Sequence, residues 1–578
     1  MSFSVDEISA QLGGLRAPAP GSAPPPCPPW LIESWEAPRR FFAALCEHAA
    51  ARSETALKSR YGEGYDPYYD WIERCARQTP DRAALRYLDG ERGLRAFTFG
   101  ELHAQASALG SDWSAREIGP ESVVAIVAPL GPALCVALGT ALRLGATPCV
   151  LTPAGPAFVQ NRLRGLKPTH VVTVRDCLAL CAGSKPPPLV LGESATGVEP
   201  WERSHTYAPK APALAVVSPL REPPRRGLPL SSEALYCHAL RDGHLLLGLR
   251  PGDVLCAPGV PLQQHLPALL FAAWACGASY LHCTVRDVTD SPRLLERVAP
   301  RALLVTAALR DALRSGPVLL PRTLSLWLRN PEEPLDYFAW QEFIRAQNLG
   351  AIAHGNLVVD AAAGGALLFS PRRPGTLHPE VWPAPGCDFT LLQPGTKEQR
   401  GLGAGVLLAA KPPGDKAHPG HILLNRAPGG FQYGGTLTPR RAGRAFPADE
   451  VCALLESVPG LCASAVVPLP PPPVGETTRF GLVLFTGGPV PSGLVDEVLA
   501  RLRVQLGEDA LPDQVLPFPL LPRWKDGAVD TAWVQDQLLR GVLVQKAREP
   551  AFQILTALRK AVRADKPPGT QKQEPGGA

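Results

Sequence analysis

"SVVAIVAPLGPALCVALGTALRLGATPCVL", residues Ser122 to Leu151, opens with a run of apolar and β-branched residues. A turn containing Pro129, Gly131 and Pro132, an apolar helical stretch, Gly145-Ala146 and a second apolar run follow. The first run, "VVAIVA", is continuous rather than alternating, as in a strand covered on both faces. The stretch from Val123 to Leu142 carries no charge and is long enough to raise a membrane span. Its prolines and glycine argue instead for a strand, a turn and a helix.

The same order of parts recurs further on. "DVLCAPGVPLQQHLPALLFAAWACGASYL" (Asp253 to Leu281) again reads strand, turn, helix, Gly-Ala, strand, and Gly277 lies 132 positions after Gly145. "RLRGLKPTHVVTV" at Arg162 matches "LLERVAPRALLVT" at Leu294 with that same offset. Two halves, near residues 122–174 and 253–306, are therefore expected to fold as pseudo-repeats, each a parallel sheet with right-handed crossover helices on both sides. The expected class is α/β: two stacked parallel-sheet subdomains.

Beyond residue 355 short β-like pieces such as "GALLF", "DFTLLQ", "GVLLAA" and "HILLN" are punctuated by Gly and Pro. They predict a small β-barrel-like unit over 355–430. "FPADEVCALLESVPGLCASAVVPLP" and "FGLVLFTGG" predict a small α+β domain over 436–540, followed at 541–578 by a helix-like stretch, "EPAFQILTALRKAVRA", and a disordered tail. Residues 1–60 read as an N-terminal extension containing the Pro-rich, extended spacer Ala17 to Pro29, and 61–435 as the large domain. A length of 578 residues, at ~150 per domain, accommodates these units.

Composition narrows the function. With 58 basic against 53 acidic residues, evenly spread, nothing points to nucleic acid or an anionic membrane. The 14 cysteines include no CxxC pair, and the closest spacing, Cys177-x3-Cys181, has no nearby histidine, so no metal site is expected. Cys135 and Cys276 lie in apolar runs and read as buried thiols. The N-terminus lacks an apolar signal core, and a reducing, cytoplasmic setting is expected.

Seven segments in order carry a family resemblance. They are "YYDWIERCARQTPDRAALRY", "FTFGELHAQASALG", "ALRLGATPCVLTP", "WPAPGCDFTLLQPG", "GHILL", "RAFPADEVCALLESVPGLCASAVV" and "LLPRWKDGAVD". Together, over roughly Tyr65 to Leu539, the chain resembles the adenylate-forming superfamily, the AMP-binding acyl-CoA synthetases and related ligases. The resemblance implies a large body and a small C-terminal lid, and a chemistry in which ATP and Mg²⁺ activate an acid that is passed to CoA.

The resemblance also places the working residues, and several are replaced. The family's Gly/Thr-rich phosphate loop falls on Ser218, Pro219, Leu220, Arg221, Glu222, Pro223, Pro224, Arg225, Arg226 and Gly227. Proline has no N–H to offer a phosphate, and Glu222 carries the wrong charge. Arg221, Arg225 and Arg226 remain cationic, with Arg226 on the family's lysine position. The family's Thr-Glu turn falls on Ala361 and Ala362, with Asp360 close by as a displaced acid; alanine cannot ligate Mg²⁺. The ribose-binding aspartate has no counterpart in the 23 positions from Gly420 to Gly443. The adenylation lysine falls on Ala528, with Lys525 three positions earlier as the available substitute. His265 falls beside the implied acyl pocket, although a lone histidine at an apolar helix entry is more often a satisfied structural residue.

The expected function is that of an acyl-CoA synthetase-like protein, catalytically degenerate. It would bind an acyl or CoA-like small molecule, or a catalytically active partner protein, as a regulatory pseudoenzyme. The alternative is an active acyl- or aryl-acid–CoA ligase with relocated catalytic groups.

Overall fold

The chain is described here by a computed structural model covering residues 5–14, 27–89, 93–192, 199–217, 227–316, 318, 320–332, 336–360, 363–375, 377–392, 399–400, 405–410, 416–417, 421–426, 430–436, 440–441, 444–469 and 478–548. Strand Val123–Val127 leads through Gly131 into helix Pro132–Leu144, whose proline stands at its first turn, where a missing N–H costs nothing. The helix stops at Gly145, which adopts a left-handed conformation (φ 81°), and Thr147–Leu151 returns parallel to the first strand. A Cβ at Gly145 would also stand 2.6 Å from the His205 ring, so glycine is required there twice over.

Helix Pro156–Leu166 and strand His170–Thr173 follow, and Pro188–Val190 completes a four-stranded parallel sheet. In chain order its strands lie second, first, third, fourth. Strands Val254–Cys256, Ser279–His282, Ala302–Val305 and Leu326–Arg329 are arranged in the same order, all parallel. The repeat thus extends to topology, and to detail. The Ala146 N–H donates to the Ala141 carbonyl (3.0 Å), and the Ala278 N–H to that of Ala273 (2.9 Å). Lys167 and Ala299, also 132 positions apart, both end helices in the left-handed region, at φ 51° and 53°.

The second sheet grows on both edges. Ala83–Asp89 adds in parallel beside Ser279–His282 and carries antiparallel Gly93–Thr98. On the far edge Ala353–Asp360 changes partner midway. Its first half pairs parallel with Leu326–Arg329, and its second half pairs antiparallel with Gly365–Phe369. Through Gly365–Phe369 the sheet passes into the β-rich stretch, an antiparallel succession of Glu380–Pro383, Gly430–Thr436, His421–Arg426, Gly405–Ala410 and Phe389–Leu392.

The spacer ends in structure: Pro29 opens helix Pro29–Glu36, and Pro38–Ala51 follows it. Both pack on the body, where the Trp35 indole donates to the Ala384 carbonyl (3.2 Å) and Phe41 and Phe42 are buried. Spacer residues 17–26 and the stretch "EPAFQILTALRKAVRA" lie outside the described residues.

The chain divides into two compact units, Met1–Ala445 and Phe446–Ala578. In the second, Ala463–Pro468, Phe480–Phe485 and Gln514–Phe518 form a mixed three-stranded sheet. Helices Ala448–Leu455, Leu494–Leu506 and Thr531–Leu539 belong to the same unit, which has its own core around Val483, Phe485 and Val534. All 14 cysteines are free thiols. Among the described residues no helix is long and apolar enough to cross a membrane, and no cluster of His, Cys, Asp and Glu could hold a metal ion.

Candidate functional site

In an open parallel sheet, ligands gather at the carboxyl ends of the strands, where loops lead into helices. Three of the positions singled out in the sequence belong to that edge of the second sheet or to the hairpin beside it. Strands Pro212–Val217 and Gly227–Ser231 form an antiparallel hairpin in which Val217 faces Gly227, so 218–226 is its connecting loop. Gly227 begins the second strand, where a Cβ would stand 2.5 Å from Leu166. Ser218, Arg221, Arg225 and Arg226 lie outside the described residues.

Ser231 caps helix Ser232–Leu240, its hydroxyl accepting from the Ala234 N–H (3.2 Å). This helix leads to a feature that sequence reasoning missed. Arg241 and Asp242, both buried, pair through Arg241 Nε and Asp242 Oδ1 at 2.7 Å. Together they grip the turn after Asp360: Arg241 Nη2 donates to the Ala366 carbonyl (2.7 Å), and the Ala366 N–H donates to Asp242 Oδ2 (2.6 Å). Burial raises the Asp242 pKa while the adjacent guanidinium opposes the shift. His238 Nδ1–H donates to the Ala363 carbonyl (3.1 Å), and burial together with Arg241 keeps its imidazole neutral. A Cβ at Gly365 would come 2.2 Å from Asp242, so the turn fits its clamp only as glycine. An Arg-Asp pair within "ALYCHALRDGHLLLGL" was the available signal, because charges in so apolar a helix need partners.

Asp360, the last residue of its strand, is buried and engaged rather than free. Ala361 and Ala362 lie outside the described residues. The turn meets the hairpin at Gly364, where a Cβ would stand 3.5 Å from Leu230, so the Asp360 turn and the Gly227 strand are neighbours. Short helix Leu262–His265 packs near strand Ala353–Asp360. His265 itself is buried; its Nδ1–H donates to the Pro261 carbonyl (2.8 Å), and burial lowers its pKa to about 4. It is therefore a neutral side chain that holds its own turn.

Lys525 and Ala528 belong to the C-terminal unit and form a two-residue hairpin with Asp526 and Gly527 at positive φ (51° and 82°). They are a facing pair, so their side chains leave the same side of the ribbon with Cβ atoms about 5 Å apart. Both are exposed. The separation in space is thus less than three positions of sequence suggest.

Comparison with known proteins yields a family segment and a fold. Residues 72–214 match the family of AMP-binding enzymes. Among curated proteins, one of the plipastatin synthase subunits of Bacillus subtilis (strain 168) is 27% identical over 153 residues, 23% of this chain and 4% of that one. A second plipastatin synthase subunit from the same organism is 33% identical over 92 residues, 16% of this chain and 3% of that one. The chain thus spans only a few per cent of those relatives' length. Among solved structures, a double mutant of o-succinylbenzoate CoA synthetase from Bacillus subtilis, bound with its product analogue, aligns with a TM-score of 0.62 at 16% identity. That alignment covers 81% of this chain and 98% of the other. Acetoacetyl-CoA synthetase from Streptomyces lividans aligns at 0.61 and 17% identity, covering 96% and 97%. At such identity the likeness is one of fold.

Proposed function

Starting from a chain with the adenylate-forming fold and an AMP-binding segment in its first lobe, we propose that it is an acyl-CoA synthetase-like protein that has lost adenylation and acts by binding. The observation that carries this reading is the turn after Asp360. Where the resemblance implies a Thr-Glu pair for adenine and Mg²⁺, the chain has Ala361 and Ala362, and the following Gly364-Gly365-Ala366 is tied to the buried Arg241–Asp242 pair. Asp360, the nearest carboxylate, is buried and engaged. No step of transfer is assigned to these residues. The ligand in this reading is an acyl or CoA-like small molecule, or a catalytically active partner protein that the chain regulates.

The test is ATP-dependent pyrophosphate exchange with a panel of carboxylic acids, alongside calorimetry with AMP and with acyl-CoA. Exchange at background level with measurable acyl-CoA binding is expected; robust exchange overturns the reading.

One observation favours an active ligase instead. Lys525 faces Ala528 across the hairpin, and a lysine side chain is long enough to offset a Cβ displacement of about 5 Å. That alternative requires Lys525→Ala to abolish exchange while leaving the C-terminal unit folded.

A further inference from the structure

A strongly charged cavity of the first unit lies at the other edge of the second sheet. It encloses about 430 Å³, within the usual range for small-molecule sites. Arg52, Arg74, Arg250, Arg301 and Arg372 line it, against Asp6 and Asp70. Strand direction fixes its place. Arg250 precedes Val254–Cys256, Cys276 precedes Ser279–His282 and Arg301 immediately precedes Ala302–Val305, so these residues lie at the amino ends. Arg372 follows Gly365–Phe369, which runs antiparallel to Ala353–Asp360, and so reaches the same edge. His265 and Asp360 are at the carboxyl ends. Five steps of extended chain, from Arg301 to Thr306, place the two edges about 16 Å apart.

The aspartates neutralise this cluster only in part, five guanidinium groups standing against Asp6, Asp70 and Asp253. Both oxygens of Asp70 are occupied, by the Lys58 N–H (2.8 Å), the Ser59 N–H (3.0 Å) and the Tyr236 hydroxyl (2.9 Å). Asp6 pairs with Arg52 at 3.2 Å and is largely exposed. Arg301 meets Asp253 at 3.1 Å. Among the described residues Arg74 donates to the Asp70 carbonyl and to Gln78, and Arg372 to the Leu245 carbonyl. The Arg250 side chain has no partner among the described residues. Each guanidinium carries five N–H donors, so most are left for a ligand. Burial dominates the titration of His244 and Arg372, and the neighbouring positive charges add to it. Burial and then His48, Arg52 and Arg74 hold His244 down to about 4, and burial and then Arg301 bring Arg372 down to about 10. Trp71 and Leu249 supply an apolar wall.

We propose that this cavity binds a small phosphorylated anion, a phosphoester or polyphosphate, at a site separate from the carboxyl-end edge that carries His265 and Asp360. Guanidinium forks match phosphate oxygens in pairs, and a multiply charged anion offsets the mutual repulsion of arginines drawn from five separate stretches of chain. The apolar wall suits an organic substituent on the phosphate.

Inorganic pyrophosphate is the probe, titrated calorimetrically into the full chain without Mg²⁺. Wild-type protein is expected to bind it, and Arg52→Ser with Arg250→Ser to weaken binding at least 10-fold without moving the thermal midpoint, since both side chains are exposed. A variant with Arg221→Ser, Arg225→Ser and Arg226→Ser is expected to bind as wild type. Hydrogen exchange locates the site independently: amides of 244–252 gain protection on adding pyrophosphate. No binding by wild type, equal binding by the Arg52/Arg250 variant, or loss in the loop variant alone would each overturn the proposal. All three outcomes are independent of whether the chain adenylates acids.

Discussion

Asp242 is buried and accepts hydrogen bonds from Arg241 Nε and the Ala366 N–H, so its charge and its shape matter separately. Asp242→Asn keeps the shape and removes the charge, leaving Arg241 uncompensated in the interior. Chemical denaturation should register a loss of about 3–5 kcal/mol. Replacing both, Arg241→Met with Asp242→Leu, should recover much of that loss, because no buried charge remains; a double variant as unstable as the single one would show that the carbonyl contacts to Ala366 and Pro385 dominate. His265 gives a prediction with a sign. Its pKa in the folded state is about 4, below the ordinary 6.5, so the folded form prefers it neutral. The stability this lends is fully present above pH 6.5 and is lost as the pH falls toward 4, on the order of 3 kcal/mol in all. His265→Gln should flatten the stability profile in that window by up to about 1.4 kcal/mol per pH unit, and an unchanged slope would mean that other groups carry the acid response. The sequence disclosed the position of this histidine but not its role, which depends on the Pro261 carbonyl being within reach.

Among elements, the repeat was the most legible feature, because glycine is conspicuous and two of its glycines, Gly145 and Gly277, mark matching helix ends. Lys167 and Ala299 mark another matched pair of helix ends just as faithfully, yet neither residue type signals a left-handed conformation, and only backbone angles expose them. Both should gain from glycine. Lys167→Gly and Ala299→Gly each remove a strained Cβ, against the greater entropy that glycine brings to the unfolded chain. The expected net gain is roughly 0.5–1 kcal/mol at each site, and similar at both because the local geometry is shared; a loss at either would mean that the side chain does more than terminate a helix. The Lys525–Ala528 hairpin shows the reverse limit. Asp-Gly announces a two-residue turn, but only the register makes Lys525 and Ala528 facing neighbours rather than residues three apart. The phosphate-loop reading depended on residues 218–226, which lie outside the described residues, and the hairpin places only the flanking Val217 and Gly227.

At the scale of the molecule, what escaped the sequence is what lies far apart in it. The cavity arginines come from residues 52, 74, 250, 301 and 372, and no window along the chain contains two of them at motif spacing. The N-terminal helices are a second case: read as an extension, they pack against the turn at Ala384 to Cys387. There the Gly386 N–H donates to Ser34 Oγ (3.1 Å), across 352 positions. Gly386 sits at φ +72°, and a Cβ on it would come 2.6 Å from the Phe42 ring and 2.8 Å from Phe41. Gly386→Ala therefore combines backbone strain, about 1 kcal/mol, with a clash against two buried rings, for a total of about 3 kcal/mol. Phe42→Ala alone opens a cavity and should cost about 3 kcal/mol or more. The two should not add. With the Phe42 ring gone the new methyl has room on one side, so Gly386→Ala should cost roughly 1–2 kcal/mol in that background, the remainder being strain and the Phe41 contact. Strict additivity, measured by denaturant titration of the four proteins, would place the helix Pro38–Ala51 away from this turn in solution. Coupling of the expected size would instead make helix Pro38–Ala51 part of the body's core.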